Sequence, residues 1–133
     1  MKMNYTLSLL KIPVSNIVRT AAFYRDVLGF EPVFAAEEYG WAQLQAGELA
    51  LALYRPGMGG GEGQVGSSTG FHLALAAEHF DALKDVLCQH DALVDDMVHQ
   101  GEDGSSFVEV CDPDGNTLKI MRVSEAQGAK HAA

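Results

Sequence analysis

The sequence predicts an α+β fold of two βαβββ modules, which form curved mixed sheets around a pocket. A glycine-rich segment, residues 56–68, divides the 133 residues into near-equal halves, and such a composition does not hold a regular element. Each half then shows the same order of patterns: a strand, a helix and three strands. We therefore expect one domain, 1–133, made of module 5–56, linker 57–68, module 69–123 and a frayed tail 124–133.

In the first module, an apolar run over residues 7–14 is suited to a buried strand. Ser15 or Asn16 can cap the helix that follows, whose apolar spacing continues to Leu28, before Gly29 as a left-handed terminator. Short strands are predicted at 30–36, 40–45 and 48–54. In the second module, we expect strands at 71–76, 92–99, 105–111 and 117–123, with a helix after the first of them. Residues 112–115, Asp-Pro-Asp-Gly, form a strong turn signal because Pro fixes φ and Gly tolerates positive φ.

Composition and charge exclude several classes of protein. Hydrophobic residues make up 47% of the chain, which is typical of a globular protein. No apolar run approaches the roughly 20 residues that span a bilayer, so we expect no membrane partner. A formal net charge of −9 without a basic cluster argues against nucleic acid. The two cysteines form neither a disulfide framework nor a CxxC motif, which favours a cytoplasmic location.

Three motifs in the right order resemble the vicinal oxygen chelate superfamily, which includes glyoxalase, extradiol dioxygenases and bleomycin resistance proteins. Residues 23–30, FYRDVLGF, resemble its FYxxvLGF signature, residues 70–74, GFHLA, its fifth-strand motif, and residues 112–116, DPDGN, its turn. The resemblance covers about residues 5–123. It implies the glyoxalase/bleomycin resistance fold and a homodimer, because relatives commonly complete their pockets across a two-fold interface.

The resemblance also implies four metal-ligand positions, on the first, fourth, fifth and eighth strands. In metal-containing relatives a divalent ion there binds two substrate oxygens and stabilises an enolate-like charge. The matching residues are Leu9, Leu51, His72 and Lys119. Leucine cannot coordinate, and a protonated lysine repels a cation. We therefore expect no metal and no cofactor at this site, although a shift of one residue in the alignment would reverse every strand face.

Strand alternation predicts which residues line the pocket. A three-residue loop at 113–115 sets Glu109 opposite Lys119, so that Lys119 occupies the vacated cation position and pairs with Glu109. A loop at 45–47 similarly sets Trp41 opposite Leu51. The predicted ligand-binding residues are Leu9, Trp41, Leu51, His72, Phe107, Glu109, Lys119 and Met121. Structural alternatives remain open: His72 as a leftover pocket histidine, Glu109 and Lys119 as a solvated edge pair, and Trp41 as a core residue.

Three functions remain open on this evidence. The favoured one is metal-free binding of a small organic molecule, for sequestration or resistance, with residues 57–63 as a flap over the pocket. The second is a glyoxalase-like lyase, isomerase or dioxygenase-like enzyme on a small carbonyl compound, in which only His72, Glu109 and Lys119 could supply acid–base catalysis. The third is a regulatory or interaction domain with a vestigial pocket.

Overall fold

The computed structural model describes residues 1–123, and the predicted tail 124–133 lies outside the described residues. The chain divides into two compact units, residues 1–66 and 67–133. Within residues 1–123, each unit has one α-helix and one four-stranded mixed sheet, which confirms the predicted α+β class. None of the helices in the described range is long and apolar enough to cross a membrane.

The first unit contains five regular elements and a short 3-10 helix. In chain order they are β1 Leu10–Pro13, α1 Ile17–Asp26, β2 Glu31–Ala36, the 3-10 helix Glu37–Tyr39, β3 Trp41–Ala46 and β4 Leu49–Tyr54. The sheet order is β1-β4-β3-β2, with β1 parallel to β4 and the other pairs antiparallel.

Local sequence explains where α1 begins and ends. Of the two predicted caps, Asn16 is the one used, because its side-chain oxygen accepts a hydrogen bond of 3.0 Å from the Arg19 amide. Gly29 follows the helix at φ +80°, a conformation that favours glycine. The buried Tyr24 ring packs edge-on between those of Phe23 and Phe30, at centroid distances of 5.5 and 5.8 Å.

The second unit repeats this arrangement. Its elements are β5 Ser68–Ala76, α2 Ala77–Gln89, β6 His99–Gln100, β7 Ser106–Cys111 and β8 Thr117–Val123. The sheet order is β5-β8-β7-β6, with β5 parallel to β8. Apolar side chains at alternate strand positions form its core with the helix: Phe80, Leu87, Val108, Val110, Leu118 and Ile120.

The turn at residues 112–116 sets the β7–β8 register, as predicted. The Asp112 amide donates to the Asn116 carbonyl at 2.9 Å, and the Gly115 amide donates to the Asp112 carbonyl at 3.0 Å. Asp112 and Asn116 are buried. Pairing from this turn outward places Glu109 opposite Lys119, which confirms the predicted cross-strand register.

Two strand predictions are wrong in extent. The first strand covers only Leu10–Pro13, which pairs in parallel with residues 51–54 of β4, and residues 1–9 belong to no strand. The predicted strand 92–99 shrinks to β6, His99–Gln100, apart from a single bridge of Leu93 to Val110. Asp95 is the cause, because its carboxylate accepts from the Met97 amide at 3.2 Å and makes a local turn that competes with a strand.

Candidate functional site

Three ionisable side chains form a row across the sheet of the second unit. His72 of β5 is the register partner of Lys119 of β8, and Glu109 of β7 is its partner on the other side. Their strand neighbours Leu118 and Val108 are buried in the core, so the row occupies the opposite face. Because neighbouring strands lie about 4.8 Å apart, His72 and Glu109 directly flank Lys119.

A cavity of about 110 Å³ lies beside this row and is partly open. It is lined by Ser68, Gly70, Phe71, His72, Glu109, Thr117, Leu118 and Lys119. An ammonium and an imidazole can donate hydrogen bonds there, and a carboxylate can accept them. The arrangement is therefore suited to an organic molecule that carries both acceptor and donor groups.

The predicted ion pair between Lys119 and Glu109 is wrong, although their register is right. Within residues 1–123, no ion pair joins these two side chains; the Lys119 Nζ instead lies 4.8 Å from the centroid of the Phe107 ring. Phe107 precedes Glu109 by two residues on the same face, so the long lysine side chain reaches it diagonally. Both contacts are worth about 1 kcal/mol at exposed positions, so the ring can compete with the carboxylate.

Phe107 also contacts a histidine, His99, that is not among the predicted site residues. The His99 ring stacks on Phe107 at 5.1 Å and an interplanar angle of 20°, and its Nε2 lies 2.6 Å from Asp95 Oδ2. These contacts were not predicted from the sequence, because the predicted strand 92–99 did not include the turn at Asp95. Met121 completes the face as the register partner of both Phe107 and Ala74.

In the first unit, the predicted register of β3 and β4 is wrong. Gly47 and Glu48 form a two-residue turn, with Gly47 at φ +59°, so Trp41 lies opposite Tyr54 and Leu44 lies opposite Leu51. Leu44 lines a groove with residues of α1, so Leu51, which is 1% exposed, belongs to the helix-packed core. Leu51 and Trp41 therefore lie on opposite faces of the sheet.

With the corrected register, the β4 residue on the same face as Leu9 is Ala52 and not Leu51. Leu9 is half-buried just before β1 and alternates with Lys11, whose partner on β4 is Ala52. Lys11 therefore lies on the Trp41 face; sequence reasoning missed it, although its spacing of two from Leu9 could have indicated it. The side chains at positions 9 and 52 are alkyl groups, and Lys119 places an ammonium beside His72. This set of side chains does not fit the metal that the resemblance implies. Within residues 1–123, no group of three or more His, Cys, Asp or Glu could hold a metal ion.

Cys111 lies on the same sheet face as Glu109, opposite the core, but its thiol is a poor nucleophile. Burial, and next the charge of Asp112, raise the pKa of its thiol above the usual range. Its Sγ lies 3.5 Å from the Asp112 carbonyl oxygen, to which the thiol can donate. The protonated thiol is therefore favoured at neutral pH.

Comparison with known proteins places this geometry in a family. The model of the Glyoxalase/Bleomycin resistance protein/Dioxygenase superfamily matches residues 3–120. No curated protein matches the chain. Lactoylglutathione lyase from Agrobacterium tumefaciens has a similar crystal structure, with 22% identity, coverage of 91% of this chain and 96% of that chain, and a TM-score of 0.73.

Two further crystal structures share the fold. A superfamily member from Sphaerobacter thermophilus has 21% identity, coverage of 91% and 99%, and a TM-score of 0.75. A virulence protein from Salmonella typhimurium has 22% identity, coverage of 91% and 98%, and a TM-score of 0.66. At these identities the structures establish the fold, while the family model matches most of the chain. The chain belongs to the glyoxalase/bleomycin resistance protein/dioxygenase superfamily.

Proposed function

We propose that this protein binds a small organic molecule at the row of His72, Lys119 and Glu109, without the metal used by metal-containing members of the superfamily. The observation that carries the proposal is the register that puts a lysine between a histidine and a glutamate, beside a cavity. Lys119 stands at a metal-ligand position implied by the resemblance, and it supplies a fixed positive charge there.

The geometry favours a ligand with a carboxylate or carbonyl oxygen at one end. Lys119 and His72 would donate to that oxygen, and Glu109 would accept from a hydroxyl or amine on the same molecule. The cavity of about 110 Å³ holds only a small polar head group, since pockets for whole drug-sized ligands span about 300–1,000 Å³. The apolar remainder of the ligand would pack on Phe107 and Met121, which share the face.

The proposed role of Lys119 in ligand binding can be tested directly. Thermal shift and titration calorimetry against a panel of small carboxylates and carbonyl compounds would find a ligand for the wild-type protein. Lys119→Met should weaken its binding about tenfold or more, because a charge-assisted hydrogen bond is lost. Lys84→Met is the matched control, since it removes the same charge from α2. Equal binding by the wild-type protein and both variants would refute the site.

Metal content tests the second part of the proposal, that the protein binds its ligand without a metal. Protein purified without a chelator should contain less than stoichiometric Ni, Zn, Mn or Fe by elemental analysis. Stoichiometric metal that is lost in His72→Ala would overturn the metal-free mechanism. If every compound failed to stabilise the protein, the result would favour a regulatory domain with a vestigial pocket.

A lyase or isomerase is the second candidate function, and the flanking of Lys119 by His72 and Glu109 favours it. An imidazole and a carboxylate on either side of a substrate could act as general acid and base. Isotope exchange at the carbon next to a carbonyl, followed by NMR in deuterated water, separates the two functions. Exchange that is lost in Glu109→Gln would establish catalysis, whereas binding without exchange would favour sequestration.

We also propose a cytoplasmic homodimer in which residues 1–9 contact a second copy. Both cysteines are free, which supports a reducing compartment. Met3, Tyr5 and Leu7 are 63%, 89% and 64% exposed and alternate with polar residues, a pattern typical of a half-buried strand. Light scattering should show a dimer that Tyr5→Ser with Leu7→Ser converts to a monomer, while Asn4→Ser leaves it intact. A monomeric wild-type protein would contradict the proposal.

A further inference from the structure

The glycine-rich segment 57–63 lies against the open face of the first unit. Two side chains of that face hold it: the Lys11 ammonium donates to the Gly60 carbonyl at 2.7 Å, and the Tyr54 hydroxyl donates to the Glu62 carbonyl at 2.9 Å. The Lys11 Nζ also lies 4.9 Å from the centroid of the Tyr54 ring. Both hydrogen bonds use backbone carbonyls of the segment, and the Met58 side chain also lies close to Gly40 of the same unit.

Close contacts favour glycine at two positions of the segment, Gly60 and Gly63. A Cβ on Gly60 would lie 3.0 Å from the Tyr54 Cβ and 3.3 Å from the Trp41 ring. A Cβ on Gly63 would overlap the Tyr54 hydroxyl oxygen and lie 3.2 Å from the Pro13 Cβ. Tyr54 is only 6% exposed and its ring has little room to move. Contact with Trp41 and Tyr54 therefore leaves little room for a side chain at Gly60, and none at Gly63 unless Tyr54 moves.

We propose that residues 57–63 form a strap that docks reversibly on Lys11, Trp41 and Tyr54 and controls access to this face. Five of these seven residues are glycine, so release regains a large conformational entropy. Two hydrogen bonds from side chains hold the strap to the face, one of them from the exposed Lys11. A molecule that packs on Trp41 must first displace Gly60, and this consequence does not depend on the function proposed for the second unit.

Trp41 is the only tryptophan in the chain and reports directly on the strap. Gly60→Ala and Gly63→Ala should undock it, giving a red shift of the Trp41 emission and stronger quenching by acrylamide. Lys11→Met should give a smaller change in the same direction, because it removes one hydrogen bond and no packing. Glu62→Ala is the matched control, since its backbone carbonyl, and not its carboxylate, accepts from Tyr54. Far-UV circular dichroism verifies that each variant is folded.

Hydrogen exchange of the wild-type protein tests reversibility. Amides of the strap should exchange at least about tenfold faster than those of the β3–β4 ladder, because local opening is cheaper than unfolding of the sheet. Strap amides as protected as those of β4 would overturn the proposal, since the segment would then be a fixed part of the unit. Trp41 emission and quenching that stay at the wild-type level in both glycine variants would overturn it as well.

Discussion

Replacing Asp112 by alanine should destabilise the second unit and disturb the candidate site. The Asp112 carboxylate accepts from the amides of Asp114 and Asn116, both at 2.9 Å, and from the Asn116 side-chain amide at 3.2 Å. The Asn116 oxygen in turn accepts from the Ser67 amide at 3.3 Å, at the start of the second unit. One carboxylate therefore connects the β7–β8 turn to the residue that precedes β5.

The size of the effect follows from burial. Asp112 is 3% exposed and Asn116 is 1% exposed, so Asp112→Ala deprives two buried donors of this acceptor, whereas the amide of the half-buried Asp114 can turn to water. At about 1–3 kcal/mol for each buried donor, we expect a loss of about 4 kcal/mol. Asp112→Asn keeps one oxygen for the two backbone amides and loses only the bond to the Asn116 side chain, so it should cost about 1–2 kcal/mol.

Urea unfolding followed by far-UV circular dichroism measures both variants. In NMR spectra of Asp112→Ala, the His72 and Lys119 signals should shift, because the turn fixes the register that makes these residues neighbours. A loss below about 1 kcal/mol in Asp112→Ala would refute the reasoning. Equal losses in the alanine and asparagine variants would refute it too, since the two retain different numbers of acceptors.

Three other predictions test separate features. Asn16→Ala should cost about 1 kcal/mol in urea unfolding, because it removes the cap of α1, and an unchanged midpoint would contradict this. Single-thiol variants should show slower alkylation by iodoacetamide at pH 8 for Cys111 than for the exposed Cys88, because the Cys111 pKa is raised; similar rates would refute the assigned protonation. Lys119→Glu should create a thermal shift with Zn²⁺ that the wild-type protein lacks and that His72→Ala abolishes; no shift would mean that this face cannot assemble a metal site.

The sequence predicted the fold and the second-unit row because their signals are local. The turn at residues 112–116 has a proline, a glycine and an aspartate whose carboxylate accepts from nearby backbone amides, so its loop length could be counted correctly. That count placed Glu109 opposite Lys119. The turn at 47–48 carries a weaker signal, and assigning it three residues instead of two moved Leu51 to the wrong face.

Side-chain partners were predicted less well than strand partners. Register limits which residues can meet, but a lysine on a sheet face can reach both the opposite and the diagonal neighbour. Lys119 takes the Phe107 ring rather than Glu109, and the carbonyl bonded to Lys11 belongs to a glycine 49 positions away in sequence. No sequence pattern predicts either contact, because each depends on the conformation of a flexible lysine side chain or of the glycine-rich segment.

The position of Lys119 opposes the binding of a divalent ion to His72. A divalent ion bound to His72 would lie about one strand spacing, near 5 Å, from the lysine ammonium. At an effective dielectric constant of about 20, that separation costs about 7 kcal/mol of repulsion. Exchanging the ammonium for a carboxylate would convert this repulsion into attraction of similar size, with Glu109 as a third donor on the same face. The positive charge at residue 119 therefore favours the proposed organic anion over a metal ion at this face.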